Sequence, residues 1–228
     1  MNIVDHFREL IPEEGSLIGL ITTLNGICTS KQDLIKNMCS IVNMVPEGTL
    51  TLSMYNPSNG LINDCKKTFQ ERGGKDTPIV VVTRQYLVAI SETLYKINPD
   101  LFWFHNPHSE GGVISRNAIE GMTEDQRDLL RKQLCILGLG PAKPIPLEYG
   151  LEVRNVYSKQ DFVTGWFALK YKDDPRYDIK FVPCRSKFSE RTAYFADHSF
   201  LGGTYQGVQE DYIENLRQIR GFYDGSTR

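Results

Sequence analysis

The sequence predicts an α/β fold: a three-layer α/β/α sandwich with a mainly parallel central sheet. Three observations carry that expectation. Short runs with strand-like alternation are separated by longer runs with helical spacing. The strand-like runs stop at turn-forming residues. No repeat or low-complexity linker divides the 228 residues. Strands that alternate with helices pair in parallel, and the crossover helices then cover both faces of the sheet. The length suits one domain over 1–228, with residues 1–15 as a helical lead-in.

The first strand candidate is Ser16–Leu24, which ends at Asn25-Gly26. Residues 31–45 carry Leu34, Ile35, Met38, Ile41, Val42 and Val45 at helical spacing. Thr49–Tyr55 alternates Leu50, Leu52 and Met54, the period of a strand. Residues 60–71 predict a helix that ends before Gly73-Gly74, and 79–97 another through Leu87, Ile90, Leu94 and Ile97. Ile79–Val82 taken alone also suits a strand. The aromatic run 101–105 is strand-like, and a helix follows from about Gly112 to Glu120. Thr123–Leu134 opens on Thr123-x-x-Gln126, a capping-box pattern. Cys135–Leu139, Leu151–Tyr157 and Asp178–Val182 complete the strands, and Gln206–Arg220 closes the chain as an amphipathic helix. In such a sheet functional residues belong on loops at the carboxyl ends of strands.

Bulk composition excludes several functions. Hydrophobic residues are 40% and charged residues 24%, enough for a packed core, and the net charge of −2 offers no basic surface for nucleic acid. Five cysteines without a CxxC spacing favour reduced thiols over a disulfide framework. The acidic N-terminus lacks the apolar core of a secretory signal, and Pro78–Ile90 is too short and polar for a transmembrane segment. The expected location is cytoplasmic, with delivery by a specialised secretion system left open.

The most informative stretch is 103–112, Trp-Phe-His-Asn-Pro-His-Ser-Glu-Gly-Gly, where a strand-like run stops at Ser109 and two glycines follow. A plain glycine turn or a phosphate-binding loop would also fit the motif alone. His-Ser-Glu-Gly-Gly resembles the nucleophile elbow of α/β-hydrolases, the His-Ser-x-Gly-Gly corner of many lipases and esterases. The chain as a whole also resembles hydrolase-like proteins of obligate intracellular bacteria. The resemblance implies a strained Ser109 with positive φ, and Gly111 and Gly112 small enough to let the following helix pack close. One position departs from it: Pro107 stands where a glycine or another small residue is usual.

The resemblance also implies a chain order of nucleophile, acid, histidine. Asp161, after the Leu151–Tyr157 strand, is the expected acid; helix capping before 163–170 is a compatible role. Asp173, Asp174 and Glu148 follow no strand so directly. His198, after the last strand and before the terminal helix, is the expected base. His6 precedes the first strand, His105 lies within the elbow strand, and His108 is expected to point elsewhere. Asp197 is expected to cap or solvate the loop beside His198. The oxyanion donors are expected from the backbone N–H groups of Glu110 and Ile27, the latter on the turn Asn25-Gly26. His105-x-x-His108-x-Glu110 lacks a metal-binding helix pattern, Gly138-Leu-Gly140 lacks a later glycine of a dinucleotide loop, and no metal or cofactor is expected. Trp103 and Trp166 are expected in the core or a pocket wall. Asn56-Pro-Ser-Asn-Gly60 borders the expected site without an assigned role.

The implied activity is serine hydrolysis of a carboxylic ester or thioester, with an acyl substrate as the partner and a lipid or acylated macromolecule admitted by an open site. The interval between the strands at 135–139 and 151–157 leaves no room for a large cap domain. The alternative is a hydrolase fold kept as a binding module, which Pro107 motivates. A phosphate-binding turn ranks last, because no P-loop lysine accompanies it.

Overall fold

The structure is a computed structural model that describes residues 17–162, 164–186 and 197–219; the expected lead-in over 1–15 and the side chain of Trp166 lie outside the described residues. Among the described residues, six strands form one sheet: β1 (Gly19–Leu24), β2 (Thr49–Met54), β3 (Phe102–Pro107), β4 (Leu134–Leu139), β5 (Glu152–Ser158) and β6 (Ile179–Val182). Their order is β2-β1-β3-β4-β5-β6, and every pair is parallel. The helices described among these residues are α1 (Lys31–Val42), α2 (Leu61–Arg72), α3 (Pro78–Ile97), α4 (Glu110–Glu120), α5 (Glu124–Arg131), α6 (Gly165–Leu169) and α7 (Gly203–Ile219).

Successive side chains of a strand face opposite ways, and the core divides accordingly. Leu20, Leu24, Trp103, Leu134, Ile136 and Val153 pack on one face with Val80, Leu87, Ile90 and Leu94 of α3 and with Ile114 and Ala118 of α4. Ile21, Phe102, Phe104, Leu137, Leu139 and Val156 face the other way, against Ile41 of α1 and Tyr205, Tyr212 and Ile213 of α7. These are the outer layers of an α/β/α sandwich. The central strands β1, β3 and β4 are buried throughout, which is why their sequences read as apolar runs with little alternation.

Local differences from the sequence expectation have clear causes. Ile79–Val82 is helical, because Pro78 occupies the first position of α3 and presets its φ. The helix after Thr123 does form the capping box but ends at Arg131, since Leu134 joins the sheet opposite Trp103. The helix after the elbow begins at Glu110, directly behind the positive-φ residue Ser109. β4 and β5 are joined by a connection containing only the 3-10 turn Leu147–Tyr149, so no cap domain is inserted there.

Chain direction across the sheet reverses between β1 and β3. The chain moves outward from β1 to β2, then returns to lay β3 on the other side of β1. Loops at the carboxyl ends of these strands therefore diverge and leave a crevice, the usual ligand position in an open parallel sheet. Pairing of Leu24 with Pro107 sets the next residues of the two strands level, so Gly26 comes opposite Ser109.

Candidate active site

Ser109 sits at φ 54, ψ −119, a conformation that costs a non-glycine residue about 1–3 kcal/mol and persists only where the surroundings impose it. Backbone hydrogen bonds impose it here. Ser109 N–H donates to the Leu139 carbonyl (3.1 Å), and its own carbonyl accepts from Gly112 (3.0 Å) and Ala142 (2.8 Å). His108 N–H donates to Leu24 (3.0 Å) and Gly111 N–H to His108 (2.8 Å). The glycines are needed for close approach. A side chain at Gly111 would meet the Leu24 carbonyl oxygen at 2.3 Å, one at Gly112 would meet Pro141 Cβ at 2.3 Å, and one at Gly26 would meet Ser109 Cβ at 2.5 Å.

Pro107 is the last residue of β3, where the ladder with β4 lapses. Pairing runs from Trp103↔Leu134 to His105↔Ile136 and resumes only at an isolated bridge between His108 and Leu139. The missing N–H of proline thus falls in a gap of the ladder.

Around Ser109 the distant residues converge. Ser109 Oγ lies 2.9 Å from His198 Nε2, and His198 Nδ1 lies 2.7 Å from Asp161 Oδ2. Asp161 is 3% exposed and Ser109 4%, so the line from carboxylate to hydroxyl is largely removed from water. Asp161 Oδ2 also accepts from the Tyr205 hydroxyl and from Thr164 Oγ1 (3.0 Å), while Oδ1 accepts from Thr164 N–H (3.2 Å). The aspartate therefore caps the turn entering α6 and faces the histidine at once. Burial alone would raise its pKa; His198 and these hydrogen bonds outweigh burial and hold it below the ordinary value. Asp174, by contrast, pairs with Arg176 at 2.7 Å.

No protein-family model matches this chain, and no curated protein matches its sequence. Two solved structures resemble it in shape. A protein assigned to the alpha/beta superfamily of hydrolases, from Xanthomonas campestris pv. campestris, is 12% identical with a TM-score of 0.48, over 88% of this chain and 98% of that one. An acetyl xylan esterase is 11% identical with a TM-score of 0.42, over 90% of this chain and 98% of that one. Neither likeness bears on which residues react.

The loop Asn25–Cys28 lies beside Ser109 on the side away from His198's carboxylate partner. Among the described residues, Ile27 N–H and Glu110 N–H have no hydrogen-bond acceptor, whereas Cys28 N–H donates to Asp64 Oδ2 (3.3 Å). Glu110 is also the first residue of α4, so the positive end of that helix adds to its N–H. Asn25 does not face outward. Its side chain is buried and bonded to the backbone of Asn56 and of Gly26.

Several contributors escaped the sequence reading. His108 was expected to point away from the site, but its ring crosses to the histidine loop. Its Nε2 lies 2.8 Å from the His198 carbonyl, and its ring centre lies 4.8 Å from that of His198 with the planes tilted by 35°. Burial, with the neighbouring His198 adding, lowers its pKa to about 3, so it is neutral and its ring N–H donates to that carbonyl. Asp197 is not solvated. It is 1% exposed, has φ 70, and accepts from Ser158, Ser186 and Thr204 hydroxyls. It anchors the loop whose next residue is His198.

His105 belongs to a buried chain beneath the elbow. Trp103 Nε1–H donates to Thr22 Oγ1 (2.9 Å), which leaves the threonine hydrogen for His105 Nδ1 (2.9 Å). The Nε2–H then donates to Ser115 Oγ (2.8 Å), whose hydrogen goes to the Gly111 carbonyl (2.8 Å). Every donor has one acceptor, and burial lowers the His105 pKa to about 3. His105, His108 and Glu110 thus have separate partners, and among the described residues no group of three His, Cys, Asp or Glu side chains could hold a metal. No helix among the described residues is long and apolar enough to cross a membrane.

Proposed function

We propose that this protein is a serine hydrolase of the α/β-hydrolase type that cleaves a carboxylic ester or thioester through an acyl-enzyme. The observation that carries this reading is the pair of contacts on His198: Ser109 Oγ at 2.9 Å on one ring nitrogen and Asp161 Oδ2 at 2.7 Å on the other. A serine hydroxyl needs such a base to act as a nucleophile near neutral pH.

Ser109 Oγ attacks the acyl carbonyl while His198 Nε2 takes its proton. Asp161 keeps the Nδ1–H oriented and stabilises the imidazolium. Ile27 and Glu110 N–H groups receive the carbonyl oxygen as it becomes negative. Collapse of the tetrahedral species expels the alcohol or thiol, which takes the proton from His198. Water then attacks the acyl-serine by the same route, His198 removing its proton, and releases the acid and free Ser109. The short β4–β5 connection leaves the site without a cap from that side, which suits a lipid or an acylated macromolecule. A strict preference for short, enclosed acyl groups would count against that substrate class.

The binding-module alternative drew on Pro107, and it loses that support where the proline falls in a gap of the β3–β4 ladder. A fluorophosphonate probe tests the reading. Wild-type protein should be labelled on Ser109, Ser109→Ala should not be labelled, and His198→Ala should react about 10³-fold more slowly or less. A folded wild-type protein that takes up no probe overturns the assignment.

A further inference from the structure

The loop after β2, residues 56–60, joins the site through a set of buried side chains that the reaction scheme above does not use. β1 pairs Leu24 with Met54 on one side and with Pro107 on the other. The three strands therefore end level, and their loops leave side by side. Asn25 and Asn56 continue the sheet for one more rung. Asn56 N–H donates to Asn25 Oδ1 (2.8 Å), and Asn25 Nδ2 donates to the Asn56 carbonyl (2.9 Å). The same Nδ2 donates to the Gly26 carbonyl (2.9 Å), which fixes the turn that carries Ile27.

The Asn56 side chain looks the other way. Its Nδ2 donates to Glu110 Oε2, and its Oδ1 accepts from Lys67 Nζ (2.7 Å). Lys67 Nζ also lies 3.4 Å from Glu110 Oε1. Asn25, Asn56 and Glu110 are 3%, 2% and 1% exposed. Asn56 thus joins the two segments that carry the Ile27 and Glu110 N–H groups, with two bonds to Asn25 and one to Glu110.

We infer that Asn56 and the Glu110 carboxylate are positioning residues that hold the Ile27 and Glu110 N–H groups at a fixed separation. The inference rests on the serine-hydrolase reading. An oxyanion site works when its donors are already aimed at the place where charge will develop, so that no reorganisation accompanies the reaction. Two N–H groups on separate loops would drift unless something ties the loops together. The Asn25–Asn56–Glu110 chain does so with buried amide and carboxylate groups, whose loss of partners would be costly. Lys67 offsets the carboxylate, which would otherwise oppose negative charge on the substrate oxygen.

The test uses p-nitrophenyl acetate turnover, fluorophosphonate labelling and amide hydrogen exchange on the full-length protein. Asn56→Ala should lower kcat by about 10- to 100-fold with KM nearly unchanged, slow labelling in parallel, and speed exchange at Gly26–Cys28. Asn56→Asp is isosteric but replaces the donor with a carboxylate facing Glu110. Its kcat relative to wild type should rise as pH falls from about 8 to about 5.5, when a shared proton restores the missing donor. That recovery is a signature a purely structural loss would not give, and it decides the matter if Asn56→Ala does not fold. Variants of an active enzyme that keep kcat within about threefold of wild type, or change KM alone, overturn the inference while leaving the reading intact. An unlabelled, inactive wild type overturns the reading and the inference together.

Discussion

The two banks of the site that meet at Ser109 surround their buried carboxyl groups with different chemistry. On the histidine bank, Asp161 and Asp197 are ringed by hydroxyls: Tyr205 and Thr164 for the first, Ser158, Ser186 and Thr204 for the second. On the opposite bank, Glu110 is met by an amide and an ammonium, and wholly buried Glu71 has one hydroxyl, Thr77 Oγ1 at 2.7 Å. Burial would raise the Asp161 pKa, but His198 and the hydrogen bonds on its carboxylate hold it below the ordinary value. Glu71 faces Glu110 and shares Lys67 with it. Burial, with the Glu110 charge adding and Thr77 and Lys67 opposing, raises its pKa to about 7. The difference teaches that one bank favours the charged form of Asp161, and the other favours the neutral form of Glu71.

The sharpest way to break the comparison is to neutralise the carboxylate that faces His198. Asp161→Asn should lower ester turnover by about 10⁴-fold, because the amide favours the wrong histidine tautomer, with little change in fold. A loss under about tenfold in steady-state kinetics would separate Asp161 from the chemistry. Next, Asp197→Ala should destabilise the protein by roughly 3 kcal/mol in urea unfolding, since three buried hydroxyls lose their acceptor at once. An unchanged midpoint would show that the hydroxyl ring is not an anchor.

The smallest effect lies on the other bank. The folded pKa of Glu71 is raised above its ordinary 4.5, so its contribution to stability is present below that value and is lost as pH rises through about 7. Glu71→Gln stays neutral throughout. Its melting temperature should exceed that of wild type by an amount that grows across that interval and levels off above it. A gap independent of pH would mean that Glu71 titrates alike in the folded and unfolded protein.

The sequence made the outline legible and left the bracing hidden, for a physical reason. Strands, helices and the Ser-x-Gly-Gly corner are local patterns, set by side-chain period and by backbone needs over a few residues. Chain order then pointed to Asp161 and His198, which the fold brings to Ser109. Asn56 and Asn25 are 31 residues apart, and His108 meets the His198 carbonyl across 90. Those contacts arise from strand register and loop packing, which no local pattern records. Asp197 was misread because adjacency to His198 says nothing of burial. Its hydroxyl partners come from the end of β5, from Ser186 and from the start of α7. Element ends shifted for the same reason: Leu134 is helical by its local run and a strand residue by its pairing with Trp103.

His105 and His108 are each buried beside the elbow with their single ring hydrogen already committed, and each has its pKa lowered to about 3. Well above that value both rings stay neutral. In a nuclear magnetic resonance titration their two imidazole signals should therefore stay still from about pH 5 upward.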